Sequence, residues 1–550
     1  MSSEEWMKKD KELQAHNMRL ARTEDDLIDK IWTVGRPPIP NSEIHSMKHN
    51  FTGKLWWDKV VDLQKELGEK NVDALIVTSL DEVAWLTNCR ASDIPYNPVF
   101  MSYFILNRKT NTTKLYIRDK ERKLRTQRDP EMSEYELFEH LNTGPDDGDC
   151  SNSPYHHWCI EVHDYDAILD GVKELNATVN KIWISYSCSY AIYGLIDKEK
   201  IYQANSPIAL RKSVKNPVEQ TGLRNSHVRD AVALIKFMAM LEKEIQGGKY
   251  WTEISAATEL EKYRSEQKYN RGLSFETISS SGYHAAVIHY APTNKTDKQI
   301  TTNEIYLLDS GGQYIDGTTD VTRTFHFGTP DDFEKKCYTL VLKGHIDLTQ
   351  YIFPTGLKGR AIDAIARQPL WKMGLQYLHG TGHGIGSYLS VHEGPGSISI
   401  TMEDKSWEQP FQENMFSSIE PGYYEDGKFG IRHENIAQIV KANTMYQFKD
   451  FTFLTFDTVT MVPYEPHLID YKLLTKEELD WLNSYHQKVQ DTIGPLIEDD
   501  PVASEWLKKR TGYVDLVSSG ASSTSCTLIT LVLTVFILLG NGIDIWQKLT

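Results

Sequence analysis

Tyr306-Leu307-Leu308-Asp309-Ser310-Gly311-Gly312-Gln313-Tyr314-Ile315-Asp316-Gly317-Thr318-Thr319-Asp320-Val321-Thr322 reads as two strands around a turn. Apolar residues lead into Asp309, and β-branched residues follow Asp320. The glycines and Asp316-Gly317 between them are turn chemistry. A tight turn at Asp316-Gly317 would leave the two carboxylates out of register. A wider loop centred between Tyr314 and Ile315 sets Asp309 opposite Asp320 on one face, and this is the reading adopted. Two facing carboxylates repel, so the hairpin needs a proton or a metal between them.

The same device recurs at Glu420-Pro421-Gly422-Tyr423-Tyr424-Glu425-Asp426-Gly427-Lys428-Phe429-Gly430-Ile431-Arg432-His433-Glu434. Symmetry about Gly427 sets Glu420 opposite Glu434. Between the hairpins lies His379-Gly380-Thr381-Gly382-His383-Gly384-Ile385-Gly386, where glycines allow close backbone approach. His383 can add a neutral imidazole. Asp309, Asp320, His383, Glu420 and Glu434 then make a donor set suited to two divalent ions, Mn²⁺ before a thiolate-type zinc site. Any one of these residues alone would read as an ordinary strand-end carboxylate or loop histidine.

Other motifs fail on their own terms. His379 and His383 have zincin spacing, but Gly380 stands where the catalytic Glu belongs, and the glycines oppose a helix. Asp309-Ser310-Gly311-Gly312 resembles a serine-protease nucleophile segment but lacks its flanking Gly and Pro. The glycines at 380–386 follow no strand, as a dinucleotide loop would require.

The chain has 550 residues, 40% hydrophobic and 25% charged, enough for two or more domains. A net charge of −16 argues against nucleic-acid binding as its main task. The cysteines form no CxxC pair, and Cys150, Cys159 and Cys188 lie close enough in sequence for one disulfide. Asn50, Asn111, Asn176 and Asn294 head glycosylation sequons. The first residues carry no apolar signal-peptide core. Near the other end, small residues at 518–525 precede an uncharged run at 526–539. That run is short for a membrane span and fits a GPI-attachment signal better.

In order along the chain, residues 1–40 read as a helical lead and linker, and 41–211 as an α/β domain with strands at 74–77, 101–106, 114–117 and 181–185. A second domain covers 212–496. It holds a helix capped at Asn225-Ser226 and running to 245, strands at 276–280 and 285–290, helices at 337–351 and 361–373, and a closing helix at 476–489. Residues 497–525 read as a polar linker before the hydrophobic segment 526–539.

At these residues the chain resembles the metallopeptidase family that contains methionine aminopeptidase, prolidase, creatinase and aminopeptidase P, and is most similar to its Xaa-Pro aminopeptidase branch in the long eukaryotic form. The matching segments are 85–100, 306–330, 379–395 and 420–435, within a coverage of 26–496. The resemblance implies an α/β (α+β) chain: a creatinase-like α/β domain followed by a pita-bread catalytic domain. It implies Asp309, Asp320, His383, Glu420 and Glu434 as ligands of two divalent ions, with Asp320 and Glu434 bridging; Mn²⁺ leads, and Zn²⁺ or Co²⁺ are the alternatives. It implies His289, His379 and His392 lining the substrate cleft, Glu420 as proton shuttle and Arg432 balancing the carboxylates. Arg90 would reach the substrate or brace a domain contact. The implied activity is release of the N-terminal residue from peptides with proline second, through a water activated by the two ions. The rivals are a prolidase-type dipeptidase and an impaired pita-bread binding module.

Two departures stand out. His433 replaces a usual aliphatic residue, and its strand position turns it away from Glu434. The long forms also carry another α/β domain before the region that begins here, so the chain reads as lacking that first domain. A homodimer and a place on the outer face of the cell membrane, given a signal peptide on the natural N-terminus, complete the expectation, with the cytoplasm as the alternative.

Overall fold

A computed structural model describes residues 1–23, 26–151, 158–400 and 408–515. The segment 526–539, on which the membrane expectation rests, lies outside them. Among the described residues no helix is long and apolar enough to cross a membrane.

The N-terminal part is built on a six-stranded mixed sheet. Its strands are β1 (Ala74–Val77), β2 (Ser102–Asn107), β3 (Thr112–Ile117), β4 (Glu161–Asp164), β5 (Ile182–Ile184) and β6 (Ile201–Gln203), in the order β4-β3-β2-β1-β5-β6. Each face is apolar because both are covered. Leu75, Val77 and Phe104 share one buried cluster with Val60 and Leu63 of helix α1 (Trp56–Glu69), while Ile76 and Ile105 share another with Val172 and Leu175 of α2 (Ile168–Thr178). A disulfide joins Cys150 to Cys159, which selects among the three cysteines considered. Within the lead, Ser3–Gln14 is helical, and Trp6 stacks on Tyr190 of this domain.

A short helix, α3 (Pro207–Ser213), leads into α4 (Pro217–Gln246). Asn216 caps α4 by accepting from Val218 and Glu219 N–H, Glu219 returns the bond, and Pro217 occupies the first turn. The helix therefore starts well before the Asn225-Ser226 cap expected from sequence. The apolar stripe Val232, Ile235 and Met238 is buried in one core with Ile305, Tyr306 and Leu308 of the first hairpin and Tyr338 and Val341 of α6 (Asp332–Thr349), which follows α5 (Glu253–Ser265). Each such side chain contributes about 1.5–3 kcal/mol on burial.

The strands of this second part are β7 (Asn270–Leu273), β8 (Ile278–Ser281), β9 (Ile305–Ser310), β10 (Gly312–Tyr314), β11 (Gly317–Thr318), β12 (Val321–His326), β13 (Phe353–Pro354), β14 (Gly382–Gly384), β15 (Glu393–Ile398), β16 (Phe416–Ile419), β17 (Gly422–Glu425), β18 (Phe429–Arg432), β19 (Asn435–Lys441) and β20 (Phe453–Thr458). They form sheets β8-β9-β12, β11-β10-β7, β13-β20-β19-β16-β14-β15 and β17-β18. Residues 285–290, expected as a strand, instead comprise the end of the 3-10 turn Gly282–Ala286 and the bend and turn after it. The expected linker at 497–525 contains a helix, Pro501–Arg510, whose Ala503, Trp506 and Leu507 are buried in the core.

Candidate metal centre

Both hairpins are long ladders interrupted at their carboxylates. In the first, Asp309 pairs with Thr322 and Ser310 with Val321; beyond a break, Gln313 pairs with Thr318 and Tyr314 with Gly317. One register runs through, and the turn is the tight pair Ile315-Asp316. The wide loop expected at Tyr314-Ile315 is not formed, so Asp309 faces Thr322 and Asp320 falls opposite Gly311. The carboxylates survive this correction because Asp320 and Thr322 are two apart, which leaves Asp309 and Asp320 diagonal on one face. Gly311 permits the break: a Cβ there would meet Thr319 O at 2.0 Å and Ser274 Oγ at 2.3 Å.

In the second hairpin Ile419 pairs with Asn435 and Gly422 with Arg432, so the register sets Glu420 opposite Glu434, as the symmetry about Gly427 predicts. At this break the chain leaves one sheet for another. Glu420 N–H donates to Thr381 O at 2.8 Å and Glu434 N–H to Thr322 O at 3.2 Å. The second bond fastens the two hairpins together at their carboxylates.

His383 comes from β14, which the glycine-rich sequence had not disclosed. Gly382 lets that strand lie beside β16, since a Cβ would meet Ser418 O at 2.1 Å. His383 Nδ1–H donates to Gly384 O at 2.9 Å, which turns the free Nε2 toward Glu420 Oε1 (3.3 Å) and Asp320 Oδ2 (3.5 Å). Ser418 Oγ accepts from His383 N–H (2.9 Å) and donates to Glu420 Oε1 (3.0 Å). Donor atoms of Asp320, His383 and Glu434 lie within 4.8 Å of one another. Asp309 presents one oxygen to Arg432 Nη2 at 2.6 Å, while its Oδ1 is buried with no hydrogen-bond partner. Burial and mutual repulsion lift Asp320 and Glu434 well above the carboxylate range, and burial raises Glu420 to about 7. An orphaned carboxylate oxygen, an imidazole turned inward and buried carboxylates with one arginine between them fit divalent cations.

The sequence reading missed three hydroxyl groups. Ser418 is one. Thr322 Oγ1 accepts from Arg432 Nε (3.1 Å) and donates to Glu434 Oε2 (2.8 Å). Tyr424 OH accepts from Arg432 Nη1 (2.7 Å) and donates to His379 Nε2 (2.9 Å). Its signal was present: Tyr424 and Arg432 share a face, and Gly430 and Gly422 opposite them leave the room.

The histidines divide. His379 Nδ1–H donates to Gly380 O at 2.7 Å, so both its nitrogens are engaged within the protein. His392 is open to the cleft, its ring 4.3 Å from that of His383. His289 is also exposed, and its nearness adds slightly to the forces that disfavour charge on His379 and His392. Arg90 is buried, and its guanidinium donates to Tyr388 O (2.6 Å), Ala84 O (2.8 Å), Cys89 O (3.0 Å) and Ser387 O (3.3 Å). It bridges the two parts of the chain. His433 points away from the centre, toward Tyr338 O at 3.2 Å.

Residues 35–219 match the creatinase/prolidase N-terminal domain, 221–441 metallopeptidase family M24, and 452–513 the C-terminal region of peptidase M24. The chain is 41% identical to Xaa-Pro aminopeptidase 2 of Sus scrofa over 93% of its own length and 72% of that protein. The chain belongs to metallopeptidase family M24. Against Xaa-Pro aminopeptidase 2 of Homo sapiens the identity is again 41%, over 98% of this chain and 76% of the relative. It therefore spans about three quarters of these family members. The X-prolyl aminopeptidase of Caenorhabditis elegans, a cytosolic enzyme with a di-nuclear active site, superimposes with a TM-score of 0.82 at 34% identity, over 92% of this chain and 78% of that one. The Xaa-Pro dipeptidase of Bacillus anthracis shares the fold at 22% identity, with a TM-score of 0.53.

Proposed function

We propose that this protein is a metal-dependent Xaa-Pro aminopeptidase, releasing the first residue of peptides whose second residue is proline. The observation that carries this reading is the convergence of Asp309, Asp320, Glu420 and Glu434 at the breaks of two hairpins, with His383 of β14 facing Asp320 and Glu420. The fit of the chain to aminopeptidases of that specificity supports it. Those five residues would hold two divalent ions, for which carboxylates and one imidazole favour Mn²⁺ over Zn²⁺ or Co²⁺. When bound, the ions supply a water of lowered pKa and an electrophile for the scissile carbonyl.

The remaining work falls to this chain's own side chains. His392 and His289, both open to the cleft, donate hydrogen bonds to the carbonyl oxygen as it gains charge. Glu420, oriented by Ser418, passes a proton to the leaving proline nitrogen. Carboxylates around the centre receive the substrate's free amino group, which restricts cleavage to the first bond. Arg432, Tyr424 and His379 form a hydrogen-bonded chain that orients Asp309.

Incubation with Arg-Pro-Pro and with Gly-Pro tests the assignment. Release of arginine from the tripeptide is expected. Cleavage of the dipeptide alone would make the protein a prolidase, and binding without cleavage of either would make it a binding module. The proposal includes a homodimer, checked by light scattering. It also includes membrane attachment through the uncharged run 526–539. Detergent phase partitioning of the full chain checks that part, and recovery in the aqueous phase would place it with the cytosolic relative.

A further inference from the structure

His289 lies in the stretch 282–304, which forms none of the named strands, and its proposed role needs it at a fixed place. The support comes from Glu253, the first residue of α5, whose side chain is fully buried. Its carboxylate accepts from Ser281 N–H (2.7 Å), His284 Nδ1–H (2.9 Å), Tyr290 OH (2.9 Å) and Lys298 N–H (3.1 Å). These donors bracket the whole excursion from 281 to 298, and Tyr290 is the residue next to His289. Tyr290 also stacks on His284, with ring centroids 4.2 Å apart. The first turn of a helix is a favourable place for such a carboxylate, because the helix dipole opposes its charge.

A second grip comes from the other side. Gly430 of β18 lies so close to the segment that a Cβ would meet Ala285 O at 1.8 Å. The segment is thus wedged between α5 and the hairpin that carries Arg432. Glu253 itself has no hydrogen bond to any of the five ligand residues.

We propose that Glu253 is a positioning residue for His289, holding the segment so that the imidazole faces the scissile carbonyl. The inference rests on the proposed role of His289 in the cleavage. Glu253→Gln brings an amide donor among groups that already donate, so the segment loses part of its anchor. Misplacement of a catalytic group by about 1 Å can cost up to about 100-fold in rate, so a loss of kcat on the order of tenfold or more is expected, with KM changed less than about threefold.

The test is a cycle of Glu253→Gln, His289→Ala and the double variant on Arg-Pro-Pro, with metal content measured for each. Unchanged metal content, reduced kcat in Glu253→Gln, and no further loss in the double variant beyond His289→Ala are expected. An effect of Glu253→Gln that persists undiminished in the His289→Ala background, or that follows loss of metal, would overturn the inference while leaving the proposed reaction standing. Full activity of His289→Ala would reject the role of His289 and this inference with it. If Glu253→Gln does not fold, Tyr290→Phe takes its place. It removes one donor, keeps the ring, and should show a smaller loss with the same dependence on His289.

Discussion

The hydroxyl of Thr322 accepts from Arg432 and donates to Glu434, so one β-branched residue joins the hairpins at the centre. Thr322→Val keeps the shape and removes both bonds. Outer partners of this kind are worth about 10–100-fold in metal affinity. That loss should appear in calorimetric titration with Mn²⁺, with little change in secondary structure. The raised carboxylates give a second prediction for the metal-free protein. Glu420 lies at about 7, and Asp320 and Glu434 stand well above their unfolded values near 4. Between those values these three groups bind more protons in the native state than in the unfolded chain, so their contribution to stability is fully present below pH 4 and is lost as pH rises through 7. Thermal unfolding of stripped protein should show a lower Tm at pH 8 than at pH 5, and added metal should raise Tm most at pH 8. A stabilisation by metal that does not grow with pH would contradict this. The proposed ligands were legible because carboxylates recur symmetrically around turn residues. Ser418, Thr322 and Tyr424 were not, because a hydroxyl acquires its partner only when separate strands meet.

The first hairpin shows what local pattern leaves open. Asp316-Gly317 looks like a turn pair, but Gly317 serves a different need: a Cβ there would meet Ser226 Oγ at 2.4 Å and Leu223 Cα at 3.0 Å on α4. The turn is set by Ile315, buried with Met47, Phe51 and Tyr388, and by Asp316, paired with Arg229. These are long-range contacts, so the register could not be read from the stretch itself. Gly222 is the counterpart on the helix. A Cβ there would meet Asp316 O at 2.2 Å. Gly222→Ala gains about 1 kcal/mol of helix propensity. It must also displace a backbone carbonyl, which costs about 1–3 kcal/mol or more. The clash should win, and urea unfolding should show a net loss of stability. A more stable variant would show that the close approach of α4 to this turn is wrong. The true start of α4 was signalled by Asn216-Pro217 with Glu219, but Gly222 inside the helix reads locally as a breaker.

The two parts of the chain are joined through buried charge. Glu393, next to His392, pairs with Lys215 and with Lys212 (2.8 Å), and Lys212 also reaches Asp81 of the N-terminal part (2.8 Å). Glu393→Gln leaves buried ammonium groups under-compensated, which costs about 3–5 kcal/mol. Asp81, at 26% side-chain exposure, should cost less on change to Asn because water can replace it. Denaturant midpoints of the two variants check that order. The division into an α/β domain and a second domain with two carboxylate hairpins was legible from alternating strands and helices. The join was not, since Lys212, Lys215, Glu393 and Arg90 look like surface residues until the parts meet. All of this structure converges on the centre proposed to hold two ions. The most direct measurement strips the protein with chelator and titrates Mn²⁺ back while counting bound ions and following arginine release from Arg-Pro-Pro. The prediction is two ions per chain, activity returning with them, and both lost in Asp320→Asn. Full activity in the stripped protein, or wild-type turnover in Asp320→Asn, would contradict it.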